Sequence, residues 1–378
     1  MLVILLILIF IRPFISSLAF PYTNLIYSTL LLGFLAIWIA IKKINWNKIK
    51  PIRWPLMLFI VALAISLIFS GNIIISVKEL YKYAAGILLL CISISLSEKE
   101  KNGVILCITL AGLLIGLLVI YQYFFGFQHL VNYVVKKSIV DPFTLDYISR
   151  RRPFVPFVTP NTLAGYLAMI IPLSLIYKNK FWLIIPMALA LLLTRSLGAL
   201  LSIFLGLTLY FYLKGKLKKR VIFFLGGFLI IIGLVLISRS STQKIHTQPL
   251  FSAVMRLNYW RDTLRIIKSH PWLGVGLGNF NLMLSRYAHN SYLQIWAEMG
   301  ILGIISFLWL VIAALKSSLK TFKNYLYKTK IASLITAQTV FLFHNLFDFT
   351  FFLPEVSLIW WVVLGVTFSQ KKADNNKT

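Results

Sequence analysis

Along most of this chain apolar residues neither alternate with polar ones nor keep to one helical stripe; they fill whole runs, from LVILLILIF near the start to VSLIWWVVLGV near the end. Runs of about 17 to 23 apolar residues are long enough to cross roughly 30 Å of hydrocarbon at about 1.5 Å per helical residue, and a helix satisfies its own backbone polar groups there. The pattern predicts spans near 2–20, 22–41, 54–70, 78–96, 103–125 and 161–178, then near 181–194, 196–213, 221–238, 293–315, 331–350 and 355–370. The expected fold class is all-α: a polytopic helical membrane protein with about 12 transmembrane helices, in a range of about 10 to 12. The first run is read as a retained helix and not as a signal peptide, because no small-residue cleavage site stands out after it.

These spans divide the chain into N-terminal helices over 1–125, an external loop over 126–160, central helices over 161–238, a large external catalytic loop over 239–292, and C-terminal helices with a tail over 293–378. Basic stretches at Lys42–Arg53, Lys99–Lys101, Lys178–Lys180, Lys214–Arg220, Lys316–Lys330 and in the tail alternate with the spans, and short basic loops stay in the cytoplasm. Both termini are therefore expected inside, with 126–160 and 239–292 outside.

Composition sharpens this reading. The chain is 59% hydrophobic and 13% charged, which excludes an ordinary soluble domain. A net charge of +28 invites nucleic acid, but the 38 Lys and Arg residues are scattered between apolar runs and form no continuous basic face, so no nucleic-acid partner is expected. Cys91 and Cys107 fall inside apolar runs without ligand spacing and are read as buried. The cations of the two external segments run against the topology rule. They call for an anionic ligand, or else they meet the head groups of membrane lipids.

Within the second external segment, FSAVMRLNYWRDTLRIIKSHPWLGVGLGNF places Val254, Leu257, Leu264 and Ile267 at helical spacing with Arg261, Arg265 and Lys268 on another face, an amphipathic interfacial helix. Gly274, Gly276 and Gly278 follow; their alternation fits a phosphate-cradling loop or a plain turn. His289 and Asn290 stand just before a span at the outer face. A histidine at a wet interface titrates near neutrality and takes a proton from a hydroxyl; the bland alternative is a hydrogen bond to a loop carbonyl. Glu298 is read chiefly as a structural ion-pair partner and His344 as a packed helix residue. No D-x-D or adjacent carboxylate pair occurs, and Asp141, Asp146, Asp262 and Asp348 are separated in sequence, so no metal site is expected.

The stretch from His289 and Asn290 through nine residues to Gly300 and Gly303 resembles the H-[N/S/Q]-x9-G-x-x-G signature of the superfamily of O-antigen ligases, O-antigen polymerases and bacterial O-oligosaccharyltransferases. Arg256, Trp260 and HPWLGVGLGNF are similar to that family's R…W…HP-L-G-v-G-x-G-n-F segment. Arg152 with FVPFVTPNTLAGYL resembles its R-x-x-G-x-F-x-n-P-N-x-L-A-x-Y-L entry into a helix, FHNLFDF around Asp348 its closing external segment, and RPFISSLAFPYTN the opening of ligase-like members. Two positions depart: TRSLGA puts Leu197 where the family has an arginine, with Arg195 two residues earlier, and Val155 replaces a glycine.

The resemblance implies a GT-C-like fold in a bacterial inner membrane and a periplasmic site that moves a glycan from an undecaprenyl-pyrophosphate-linked donor to an acceptor hydroxyl, with inversion and without metal or cofactor. His289 is expected to be the general base. Arg152, Arg195 and Arg256 are expected to hold the pyrophosphate, with Arg261, Arg265, Asn290 and Asp348 completing the substrate site. Guanidinium suits that task because its planar fork pairs bidentately with phosphate oxygens. The expected acceptor is a lipid A core sugar, as in a ligase, or another glycan, as in a polymerase; the short stretch after His289 argues against a protein-modifying enzyme. A transporter of the lipid-linked glycan is the alternative from another class, and the absence of a convincing internal repeat speaks against it.

Overall fold

The computed structural model describes residues 1–42, 44–137, 142–177, 181–215, 217–240, 251–283, 285–323 and 328–368. The C-terminal tail and part of the 239–292 segment, for which loops were expected, lie outside the described residues.

The described residues are all-α, but the expected number of spans is corrected. Four helices among them are long and apolar enough to cross a membrane: Pro21–Ile41, Trp46–Ile68, Glu98–Lys136 and Ser291–Phe322. Ile73–Ser95 has the length, yet it carries Lys78, Glu79 and Lys82 in its first half, and charges in hydrocarbon are expensive. Ile184–Thr194 has 11 residues, Pro160–Ser174 has 15 and Pro354–Phe368 has 15. At about 1.5 Å per residue, helices of these lengths fall well short of roughly 30 Å. Pro160–Ser174 and Pro354–Phe368, which read as parts of separate spans, are thus short helices packed inside the protein, where an all-apolar surface is covered by neighbouring helices and not by lipid.

Local signals set the helix starts. Asn72 caps Ile73–Ser95 by accepting from Ile74 N and Ile75 N at 3.1 and 3.2 Å, and Ser97 with Glu100 forms a reciprocal capping box at Glu98–Tyr121. Thr159 caps Pro160–Ser174, with Pro160 in the first turn where its missing N–H costs nothing.

Pro354–Phe368 is the innermost element. Its described side chains are buried from Pro354 to Thr367, and it packs along Ile73–Ser95. Close approach is possible because Gly365 lies against Leu90 O and Gly86 lies against the ring of Trp361. Small residues at such contacts bring backbones together where van der Waals packing, not water exclusion, holds helices. Around this pair, Ser291–Lys323 packs on Arg53–Ile68, while Lys328–His344 packs on Pro160–Ser174 and Leu197–Leu213. The opening segment is tied to the core by Arg12, which is 1% exposed, donates to Asn24 Oδ1 at 2.9 Å and pairs with Glu355 at 3.2 Å.

Candidate active site

The helix Phe251–Ser269 forms where amphipathic spacing predicts one. The segment after it explains why three glycines alternate. Gly274, Gly276 and Gly278 all have positive φ, and their amides are already engaged: Gly274 N donates to His270 O at 3.1 Å and Gly276 N to Glu298 O at 3.0 Å. Val275 N donates to Ala297 O at 2.8 Å and Gly278 N to Glu298 Oε2 at 2.9 Å. The turn is therefore docked on the Ser291–Lys323 helix: the amides of Val275, Gly276 and Gly278 are spent on that helix and that of Gly274 on His270 O, not on a phosphate. The helix receives it because it breaks at Gly300, whose φ of 64° and ψ of −169° are not helical. With the ladder interrupted, Ile301 N turns to Pro271 O at 3.0 Å and the carbonyls of Ala297 and Glu298 face the turn. A Cβ at Gly300 would overlap Trp272 O, so the first glycine of the H-N-x9-G-x-x-G pattern is a docking position.

The other end of the pattern is equally constrained. Asn290 Oδ1 accepts from Tyr292 N at 3.0 Å and Leu293 N at 3.1 Å, the role of an N-cap residue. His289 precedes it at φ 52°, a left-handed conformation that costs a non-glycine residue of order 1–3 kcal/mol and persists only where surroundings enforce it. They do: Trp260 Nε1 donates to His289 O at 3.4 Å, Tyr259 stacks on the imidazole at 5.4 Å and Phe349 meets it edge-on at 4.8 Å. His289 Nδ1 is buried without a hydrogen-bond partner among the described residues. Burial pushes the imidazole pKa down to about 4; the charge of Asp348 works against this and that of Arg256 adds to it. At neutral pH the ring is therefore uncharged, where the sequence suggested titration near neutrality.

Asp348 is 1% exposed, accepts from Phe349 N at 2.7 Å and stands 3.7 Å from His344 Nε2. His344, expected only to pack, is thus part of the same charged cluster. Arg256 lies on Phe251–Ser269 with its Nε buried and unpartnered among the described residues. His289, Arg256 and Asp348 are brought together electrostatically from three separate segments.

Arg152 and Arg195 lie on other segments. Arg152 donates from Nε to Thr194 O at 2.9 Å and from Nη2 to Asn161 Oδ1 at 3.2 Å, which fastens the loop before Pro160 to the end of Ile184–Thr194. Arg195 ends that helix in the left-handed conformation, φ 54°, and Nη1 donates to Arg150 O at 3.4 Å. Arg261 and Arg265 are exposed on Phe251–Ser269, and Arg265 pairs with Asp262 at 2.9 Å. Glu298, expected in an ion pair, instead accepts from Gln294 Nε2 at 2.9 Å and Gly278 N.

Asn345 escaped the sequence reading. Its Oδ1 accepts from Ser291 Oγ at 2.7 Å, Phe351 N at 2.8 Å and Thr350 Oγ1 at 3.1 Å, while Ser291 N donates to Asn345 O at 2.9 Å. This one side chain joins the His289 turn to the Asp348 segment. The signal was its place in FHNLFDF, directly after an apolar helix ends at His344.

No curated protein matches the chain. Residues 182–308, roughly a third of the chain, match the family model described as O-antigen ligase, so that the segment containing Arg195, Arg256, His289 and Gly300 is similar to that family of membrane glycan-processing enzymes.

Proposed function

We propose that the chain is a multi-pass membrane glycosyltransferase that moves a glycan from undecaprenyl pyrophosphate to an acceptor hydroxyl, with the site on the periplasmic side and both termini in the cytoplasm. The observation that carries this reading is the uncharged, half-buried imidazole of His289 held in a strained backbone beside Arg256 and Asp348. A neutral imidazole is ready to accept the hydroxyl proton as the oxygen attacks the anomeric carbon, while the pyrophosphate leaves with the bonding electron pair. Arg256 and Arg195 face the growing negative charge on that leaving group. Asp348 stabilises the imidazolium that forms, and Arg152 holds the loop that carries Arg195's acceptor. Attack opposite the leaving group inverts the anomeric centre. No second carboxylic acid is needed, because pyrophosphate leaves without protonation by the protein.

The acceptor we assign is a lipid A core sugar, the ligase reaction, supported by the match over 182–308. Deletion in the native host tests it: loss of a ligase leaves long glycan chains on undecaprenyl pyrophosphate. Single repeat units joined to lipid A core in the deletion strain would instead identify a polymerase.

A further inference from the structure

A second concavity lies beside the His289 cluster, and the reaction as written does not use it. It is a groove of about 460 Å³ between the helices Pro21–Ile41 and Ile73–Ser95, closed at one end by Arg286, Tyr287 and Phe352. One end is cationic. Lys78 is exposed and makes no ion pair or hydrogen bond among the described residues, Arg286 pairs with Glu79, and the buried Lys82 pairs with the same carboxylate and donates to Phe352 O at 3.0 Å. Three cations against one anion leave an excess of positive charge. The rest of the lining is largely hydrocarbon: Leu18, Leu25 and Leu32 on one side and Val77 beside Lys78 on the other, with Leu25 63% and Val77 54% exposed.

Two placements say what fits. Pro21–Ile41 is one of the helices apolar and long enough to span a membrane, so its flank opens the groove to lipid and not to bulk water. Tyr287, at the cationic end, stacks on Phe349 with centroids 4.1 Å apart, and Phe349 meets the His289 ring edge-on. The groove and the imidazole are thus separated by one aromatic layer, and Arg256 belongs to a different helix, Phe251–Ser269.

We propose that this groove holds the lipid anchor of the acceptor: an amphiphile bearing phosphate monoesters, with phosphate on Lys78 and Arg286, the buried charge of Lys82 behind them, and a hydrocarbon chain along Leu18, Leu25 and Val77. Phosphate oxygens make charge-assisted hydrogen bonds with Lys and Arg, and the chain covers exposed apolar surface. A sugar carried on such an anchor would reach past Tyr287 towards His289. The assignment as acceptor rests on the transfer reaction proposed above; the binding does not.

Equilibrium binding to the purified full chain in detergent, with no donor present, tests it. The probes are lipid A, the same lipid with its phosphates removed, phosphatidylglycerol and inorganic phosphate. Lipid A is expected to bind, and both removal of its phosphates and the pair Lys78→Gln with Arg286→Gln are expected to weaken it about tenfold or more, the scale of a lost charged hydrogen bond. Leu25→Trp, at an exposed position of the apolar wall, obstructs the groove without touching the cations and is expected to weaken lipid A binding as well. The pair Lys50→Gln with Lys99→Gln, which removes the same charge elsewhere, should leave binding unchanged. Equal affinity for phosphatidylglycerol and lipid A, competition by inorganic phosphate alone, or undiminished binding in both groove variants would overturn the proposal. A chain that binds lipid A in this pattern but transfers no glycan supports the groove and refutes the reaction.

Discussion

Tyr259 and His289 lie face to face, ring centroids 5.4 Å apart and planes 19° from parallel. The helix that carries Arg256 therefore also sets the plane of the imidazole, so charge and base are positioned by one rigid element. Tyr259→Phe keeps the stacked ring and is expected to retain most activity. Tyr259→Ala removes a contact worth about 0.5–1.5 kcal/mol and is expected to lower kcat roughly tenfold with little change in donor KM. Steady-state kinetics of the two variants check this.

The pH dependence follows from burial. In the proposed reaction the neutral imidazole is the active base, and its pKa is lowered from 6.5 to about 4. Activity of the free enzyme, kcat/KM, is expected to stay flat as pH falls from about 8 to about 5 and to drop only through about 4. Stability has the same sign: as pH falls from 6.5 towards about 4, the unfolded chain takes the proton before the folded one, so folding is progressively disfavoured in that window. An inflection near 6.5 in kcat/KM would contradict the buried imidazole.

Arg152 and Arg256 are expected to fail differently when changed to Lys. Arg152 uses Nε and Nη2 on Thr194 O and Asn161 Oδ1, a geometry one ammonium does not reproduce. Arg152→Lys should lower thermal stability in detergent along with activity. Arg256→Lys should fold normally and raise donor KM, since only the bidentate hold on pyrophosphate is lost.

Gly300→Ala places a Cβ on Trp272 O at φ 64°. It is expected to destabilise the protein by about 3 kcal/mol or more, combining left-handed strain with a backbone clash. Gly303→Ala also meets a fixed atom, Met299 Cβ, but carries no left-handed strain and no backbone overlap, so its loss of stability should be smaller. Thermal unfolding in detergent distinguishes the two.

How much of this was legible in the sequence depends on what each signal measures. Apolar runs report burial, and hydrocarbon and protein interior look alike to them; hence Pro354–Phe368 read as a span although its apolar surface is buried on neighbouring helices. Only length and charge separate the two environments, and Lys78, Glu79 and Lys82 supplied that information for Ile73–Ser95. The amphipathic helix Phe251–Ser269 was legible because a half-covered helix has a stripe. The glycines of GVGLG were ambiguous because positive φ is needed equally by a phosphate cradle and a docked turn. Which one forms is decided by the break at Gly300, in a separate element. Asn345 was invisible because its partners, Ser291 and Phe351, lie on other segments. The pairing of Arg265 with Asp262 was not legible either, since periodicity shows only that Arg265 shares a face with Arg261.

Among the described residues no group of three His, Cys, Asp or Glu side chains is placed to hold a metal ion. In the proposed reaction arginines stabilise the leaving group, so transfer is expected to proceed unchanged in excess EDTA. Abolition by chelator and restoration by magnesium or manganese would show a role for a hard cation.

The central claim is that His289 takes the acceptor proton. Purified protein, an undecaprenyl-pyrophosphate-linked glycan and lipid A core, with no nucleotide and no gradient, should yield the joined product. His289→Ala, folded and inserted normally, should lose about 10² to 10⁴ in rate. Transfer at the wild-type rate by His289→Ala would contradict the account.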